Sequence, residues 1–132
     1  MSTPRRLLSH IDLRVRDRAR SAAFYDQLLG VLGLSRRDTE DWTSYFDASN
    51  KPAGPDEVAW FGFTQDEAVL PNANRIAFLA ASNEEVDRVA EILRQIDASN
   101  IEGPNYDEGP AYYAVFFGDP DGHLLEVCCR VI

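Results

Sequence analysis

A β-α-β-β-β order that runs twice through 132 residues constrains this chain more than any single motif. In the first pass, LLSHIDLRV (7–15) alternates, with Leu8, His10, Asp12 and Arg14 on one side and Ser9, Ile11, Leu13 and Val15 on the other. That pattern predicts a strand with one apolar face. Asp17 is placed to cap a helix. Phe24, Tyr25, Leu28, Leu29 and Leu32 follow with helical spacing, and Gly33 is a suitable stop. Short β-type segments around 34–39 and 42–48 lead to the turn NKPAGPDE, and EVAWFGFT (57–64) is the next strand. A polar connector, TQDEAVLPNAN (64–74), separates the two passes.

The second pass opens with a strand over Arg75–Ala81. Ser82 and Glu85 fit a capping box, and Val86, Val89, Ala90, Leu93 and Ile96 make a helical stripe. GPNYDEGP (103–110) reads as loop or weak strand, Tyr112–Phe117 as strand, DPDG (119–122) as a tight turn, and His123–Val131 as the last strand. The expected organisation is a single domain over 1–132 with one module at 7–65 and another at 74–132. Aligned on each other, HIDLRV meets RIAFLA and EVAWFGF meets HLLEVCC. His10 then corresponds to Arg75, and Trp60 to Glu126.

Each module is expected to be a small curled sheet whose helix covers one face. The other face stays open until a second module meets it, and clefts between repeats are where small ligands bind. Alternation puts His10, Asp12, Arg14, Trp60, Gly62, Arg75, Ala77, Leu79, Glu126, Cys128 and Arg130 on the open faces. Tyr112 and Phe116 share that side, and Tyr113 lies opposite. Glu126 raises the sharpest question. A carboxylate between Leu125 and Val127 on a strand needs a metal, a cation, a ligand or water as its partner.

Composition removes several function classes. A net charge of −9 argues against a nucleic-acid backbone or an anionic membrane as partner. Cys128 and Cys129 are the only cysteines, and as strand neighbours they point to opposite faces, so neither a disulfide framework nor a cysteine-based zinc site is expected. No apolar run matches a signal peptide or a membrane span, which makes a cytoplasmic protein the expectation. Nucleophile motifs, glycine-rich phosphate loops and a dinucleotide fingerprint are also missing from the sequence.

His10 in SHIDLRVRD, the helix FYDQLLGVLGL (24–34), RIAF (75–78) and FFGDPDGHLLEV (116–127) together resemble the vicinal oxygen chelate superfamily of glyoxalases, bleomycin resistance proteins and dioxygenases. The stretch GPAYYAVF (109–116) is similar to a glyoxalase-like bacterial subgroup. The resemblance implies an α+β fold in which two βαβββ modules form a curled mixed-sheet cup, within one chain or across a homodimer. It also implies one divalent metal in the cup, acting as a Lewis acid on a substrate held through its oxygens. Some members carry no metal and sequester a drug. The family's first ligand maps to His10 and its last to Glu126. The two other ligand positions map to Arg75 and Trp60, which are departures.

Two readings follow. In the first, the metal site is degenerate and the cup binds a small polar or anionic molecule. Arg75 has no lone pair to give, and its charge beside a divalent ion costs several kcal/mol at about 5 Å and an effective dielectric near 20. It would instead pair with Glu126 near the metal's place. In the second, Arg75 turns away and Asp12 joins His10 and Glu126 around Zn, Ni, Mn or Fe, giving a lyase, isomerase or transferase of the lactoylglutathione lyase type. Under either reading Glu126 and Tyr112 are the candidate catalytic pair, with Tyr112 donating a hydrogen bond or a proton. Arg75, Trp60, Asp12, Phe116 and Arg130 are the candidate ligand-binding residues, and a small molecule is the expected partner.

Overall fold

The computed structural model describes residues 7–49, 58–106 and 109–130. Its elements are β1 (His10–Val15), α1 (Arg18–Val31), β2 (Ser35–Asp38), β3 (Trp42–Phe46), β4 (Trp60–Gln65), β5 (Arg75–Leu79), α2 (Asn83–Leu93), β6 (Ser99–Tyr106), β7 (Tyr112–Gly118) and β8 (Leu124–Arg130). The repeated order is therefore observed, although the NKPAGPDE turn lies outside the described residues. The strands form two four-stranded mixed sheets, ordered β1-β4-β3-β2 and β5-β8-β7-β6, in an α+β fold. Within each, the first and last strands pair in parallel and the other pairings are antiparallel. No helix among the described residues is long and apolar enough to cross a membrane.

Local signals act as their chemistry predicts. The Asp17 side chain caps α1 by accepting from the Arg20 N–H. At the other end Gly33, at φ +80°, lets its own N–H reach Gly30 and the Leu34 N–H reach Leu29, which closes the helix carbonyls. Ser82 caps α2 through the Glu85 N–H, while the Glu85 carboxylate accepts from the Ala81 N–H, one residue before the cap.

Boundaries shift for tertiary reasons. Strand β1 starts at His10 rather than Leu7, because its neighbour β4 begins at Trp60. Helix α2 stops at Leu93, so Ile96 packs from the turn beyond it. The stretch read as loop or weak strand joins an eight-residue β6 beginning at Ser99. Its pairing with β7 is broken by register shifts, and Asn100 and Gly103 take positive φ there.

The repeat alignment does not hold in both strands at once. His10 lies opposite Trp60 in the first sheet, but Arg75 lies opposite Leu124, and Glu126 faces Ala77. The modules thus differ by a two-residue slip. A slip of two preserves side-chain parity, so the face assignments survive it.

One apolar core serves both modules. The rings of Phe61 and Phe78 meet edge to face at 5.1 Å, and Phe24 approaches Phe117 at 6.3 Å. Helices α1 and α2 pack on each other. Polar links cross the same boundary. The Tyr25 hydroxyl donates to Asp119 (2.6 Å), the Arg16 N–H to Asp121 (3.0 Å), and Arg20 pairs with Asp97. Because the sheets share a core through their covered faces, their open faces point away from it. The cup is not closed within the chain.

Candidate functional site

The first sheet positions its open-face residues by register. Row by row across β1, β4 and β3 these are His10–Trp60–Phe46, then Asp12–Gly62–Ser44, then Arg14–Thr64–Trp42. Arg37 of β2 extends the middle row beyond Ser44. The opposite parity of β3, Thr43 and Tyr45, is buried in or beside the core. The result is a hollow of about 830 Å³ whose lining includes His10, Asp12, Trp60, Trp42 and Arg37.

Aromatic contacts order this hollow. The His10 and Trp60 rings stack at 4.3 Å and 3°, and Trp42 meets Trp60 nearly perpendicular at 6.2 Å. The Ser9 hydroxyl lies 3.1 Å from Nδ1 of His10, while Nε2 lies 3.7 Å from the Asp12 carboxylate. Asp12 accepts from Arg14 at 3.0 Å, and the Arg14 guanidinium sits over Trp42 at 5.4 Å. Trp60 extends past residue 62 because that residue is glycine. A Cβ there would stand 2.8 Å from the Thr43 carbonyl oxygen and 2.9 Å from the Trp60 ring. Gly62→Ala is expected to displace the indole, with a red-shifted tryptophan emission and a loss of about 1–3 kcal/mol in urea unfolding. An unchanged spectrum would show that the ring does not depend on that gap.

Trp42, Arg37 and Arg18 carry parts of the site that the sequence reading passed over. The Arg18 guanidinium donates to the Thr43 hydroxyl (2.9 Å) and to the carbonyls of Thr39 (2.7 Å), Glu40 (2.6 Å) and Trp42. It pins the turn that presents Thr39 and Trp42 to the hollow. The available signal was an arginine in the first turn of a helix, where the dipole disfavours a cation. For Trp42 the signal was its alternation with Ser44 and Phe46.

The second sheet carries Arg75, Tyr112, Phe116, Glu126 and Arg130 on its own open face, at the parity expected. The partner of Glu126, which is nearly buried, is the Tyr112 hydroxyl, which donates to its Oε2. That hydrogen bond, with burial, pushes the phenol above its ordinary range and keeps it a donor at neutral pH. Arg75 does not form the expected pair with Glu126. Its Nη1 donates to the Leu125 carbonyl at 3.1 Å and its guanidinium lies 4.9 Å over Phe116. Burial raises the Cys128 thiol, so it stays protonated and inert.

Convergence of His10, Arg75 and Glu126 in one hollow, expected from the sequence, is not found within the chain. The hollow is lined by the first module alone, and among the described residues no hydrogen bond or ion pair joins the two clusters. Nor do the residues present fit a divalent ion within one chain. His10 and Asp12 are two donors, Asp12 is already paired with Arg14, and Trp60 fills the adjacent place.

Asp119, Asp121 and His123 bring ligand-type atoms within 4.8 Å of one another, but these atoms are committed. Asp119 accepts from Tyr25 and from the N–H groups of Asp121 and His123. His123, expected at the surface, donates from Nε2 to the Arg14 carbonyl at 2.9 Å. The cluster fastens the DPDG turn to the first module.

Comparison with known proteins agrees with this architecture. The family model of the Glyoxalase/Bleomycin resistance protein/Dioxygenase superfamily matches residues 7–127. A glyoxalase/bleomycin resistance protein from Albidiferax ferrireducens T118 is 27% identical, with 94% of this chain and 98% of that one covered and a TM-score of 0.76. A glyoxalase/bleomycin resistance protein/dioxygenase family enzyme from Burkholderia phytofirmans PsJN shares the fold at 16% identity, with coverage of 93% and 98% and a TM-score of 0.70. So does the fosfomycin resistance protein FosX from Listeria monocytogenes, at 21% identity, coverage of 100% and 97%, and a TM-score of 0.70. No curated protein matches the chain.

Proposed function

This chain belongs to the Glyoxalase/Bleomycin resistance protein/Dioxygenase superfamily, and from that membership we propose that it binds a small polar or anionic molecule at a degenerate, metal-free site. The observation that carries this reading is the His10–Trp60 stack in the hollow of the first sheet. An indole fills the place beside His10 where a further ligand would be needed, and Arg75 stands at the other substituted position. Aromatic faces and the guanidinium of Arg37, which lines the same hollow, suit an organic anion better than a cation.

A cup requires a second wall. Since the open faces of one chain point apart, we assign that wall to a second copy, in a homodimer that lays Arg75, Tyr112, Phe116, Glu126 and Arg130 of one copy over the hollow of the other. Glu126 and Tyr112 are then the pair that would serve any proton transfer. The charge and composition support a cytoplasmic small-molecule binder without nucleic-acid or membrane partners.

One observation favours the competing reading, a metal-dependent lyase or isomerase: Nε2 of His10 and the Asp12 carboxylate lie 3.7 Å apart on the same face. Elemental analysis of protein purified without chelator separates the two. The expected result is zinc, nickel, manganese and iron far below one ion per chain. A stoichiometric metal that is lost in His10→Ala would overturn the binding reading in favour of the enzyme.

A further inference from the structure

We infer that the hollow on the first sheet takes a planar aromatic ring bearing an anionic oxygen group, with the ring against Trp60 and the oxyanion on Arg37. The inference rests on the reading of this hollow as a ligand site and narrows its ligand to one chemical class.

The floor of the hollow favours a flat group. Asp12, Gly62, Ser44 and Arg37 form one row across four strands, and the row is low in the middle because glycine has no side chain and serine a short one. The Trp60 ring leans over Gly62 from the neighbouring row. His10 covers one face of that indole in parallel. The other face has no stacked ring among the described residues, and Trp42 meets the indole nearly perpendicular, at 81° and 6.2 Å. An indole stacked on one side accepts a second ring on the other at the same kind of spacing.

Charge sets the direction. Arg14 is paired with Asp12, whereas the Arg37 guanidinium has no ion pair or hydrogen bond among the described residues. Strand β2 lies two strand spacings from β4, about 10 Å. An extended arginine closes most of that gap and meets an oxyanion attached directly to a ring stacked on Trp60. Its planar fork matches a carboxylate or a phosphonate through two parallel hydrogen bonds. Asp12, at the opposite end of the row, is paired with Arg14 and offers an anion no donor, so the oxyanion points towards β2.

The chain has two tryptophans, Trp42 and Trp60, and both line the hollow, so their indole N–H signals in a nitrogen–proton correlation spectrum report on it directly. The probe is 2-naphthoate, titrated into the intact chain. The expected result is a saturable shift of both signals. The dissociation constant should be about tenfold weaker for cyclohexanecarboxylate, which cannot stack, and for naphthalene-2-methanol, which has no charge. It should weaken about tenfold in Arg37→Ala, an exposed position whose change leaves the fold intact, and Arg37→Lys should recover only part of the loss. Equal affinity for the saturated ring would overturn the stacking, and an unchanged constant in Arg37→Ala would overturn the assigned cation. If naphthoate moves neither signal while inorganic phosphate moves them saturably, the aromatic class is wrong and the hollow remains an anion site. If no anion moves either signal, both readings fall.

Discussion

Asp119→Ala is expected to destabilise the chain by about 3 kcal/mol, measured as a lowered midpoint in urea unfolding at an unchanged slope. Asp119 is 2% exposed and takes hydrogen bonds from the fully buried Tyr25 hydroxyl and from two backbone N–H groups of its own turn. Alanine leaves all three donors without an acceptor, and two of them hold the turn that joins β7 to β8. Tyr25→Phe removes only one bond and should cost less, about 1–2 kcal/mol, while leaving the carboxylate with its backbone donors. A loss below about 1 kcal/mol for Asp119→Ala would mean that the Tyr25–Asp119 link and its turn contribute little to holding the modules together.

The same carboxyl gives stability a pH dependence. Burial pushes Asp119 above the usual carboxylate range, against the pull of Tyr25 and the turn N–H groups. The folded chain therefore keeps this proton over a window in which the unfolded chain has lost it. The contribution is full below the unfolded value of about 3.9 and declines as the pH rises through the folded value. Urea unfolding across that window should show the decline in the parent chain, and its slope should flatten in Asp119→Asn.

If the site is metal-free as proposed, Trp60→His is expected to create a divalent metal site. Position 60 lies directly across from His10 in the parallel register, on the same face, with Asp12 next along β1. A second imidazole there completes a set of two histidines and a carboxylate, the donor type common to zinc and non-haem iron centres. At free nickel or zinc about one hundred times the dissociation constant, the variant should gain about 2.7 kcal/mol in thermal or urea unfolding, and the parent should gain nothing. The double change with His10→Ala should abolish the gain. An equal gain in the parent would support the metal-dependent reading, and no gain in the variant would show that His10 and Asp12 do not aim at a common point.

Several features were legible because they are local. The alternation of Ile11, Leu13 and Val15 with His10, Asp12 and Arg14 assigned both faces of β1, and the same logic placed Glu126, Tyr112 and Phe116 on the open face of the second sheet. Asp17, Gly33 and Ser82 marked helix ends because their side chains or backbone freedom act within a turn. Arg18 escaped notice because its partners, the carbonyls of Thr39, Glu40 and Trp42, are more than twenty positions away and carry no sequence signature.

Sequence alone was enough for two βαβββ units and for the parity of β1, β4, β5, β7 and β8, but not for that of β2 and β3, which carry Arg37 and Trp42. Tertiary structure decided which faces meet, that Glu126 is answered by Tyr112 rather than Arg75, and that the modules slip by two residues relative to each other. The physical reason is that a period of two fixes which side a residue occupies and nothing about what lies across from it. Each half offers both an apolar face and a polar one. Only the packing of Phe61 on Phe78 and Phe24 on Phe117 settles that the apolar faces are spent on each other within the chain, leaving the polar faces open.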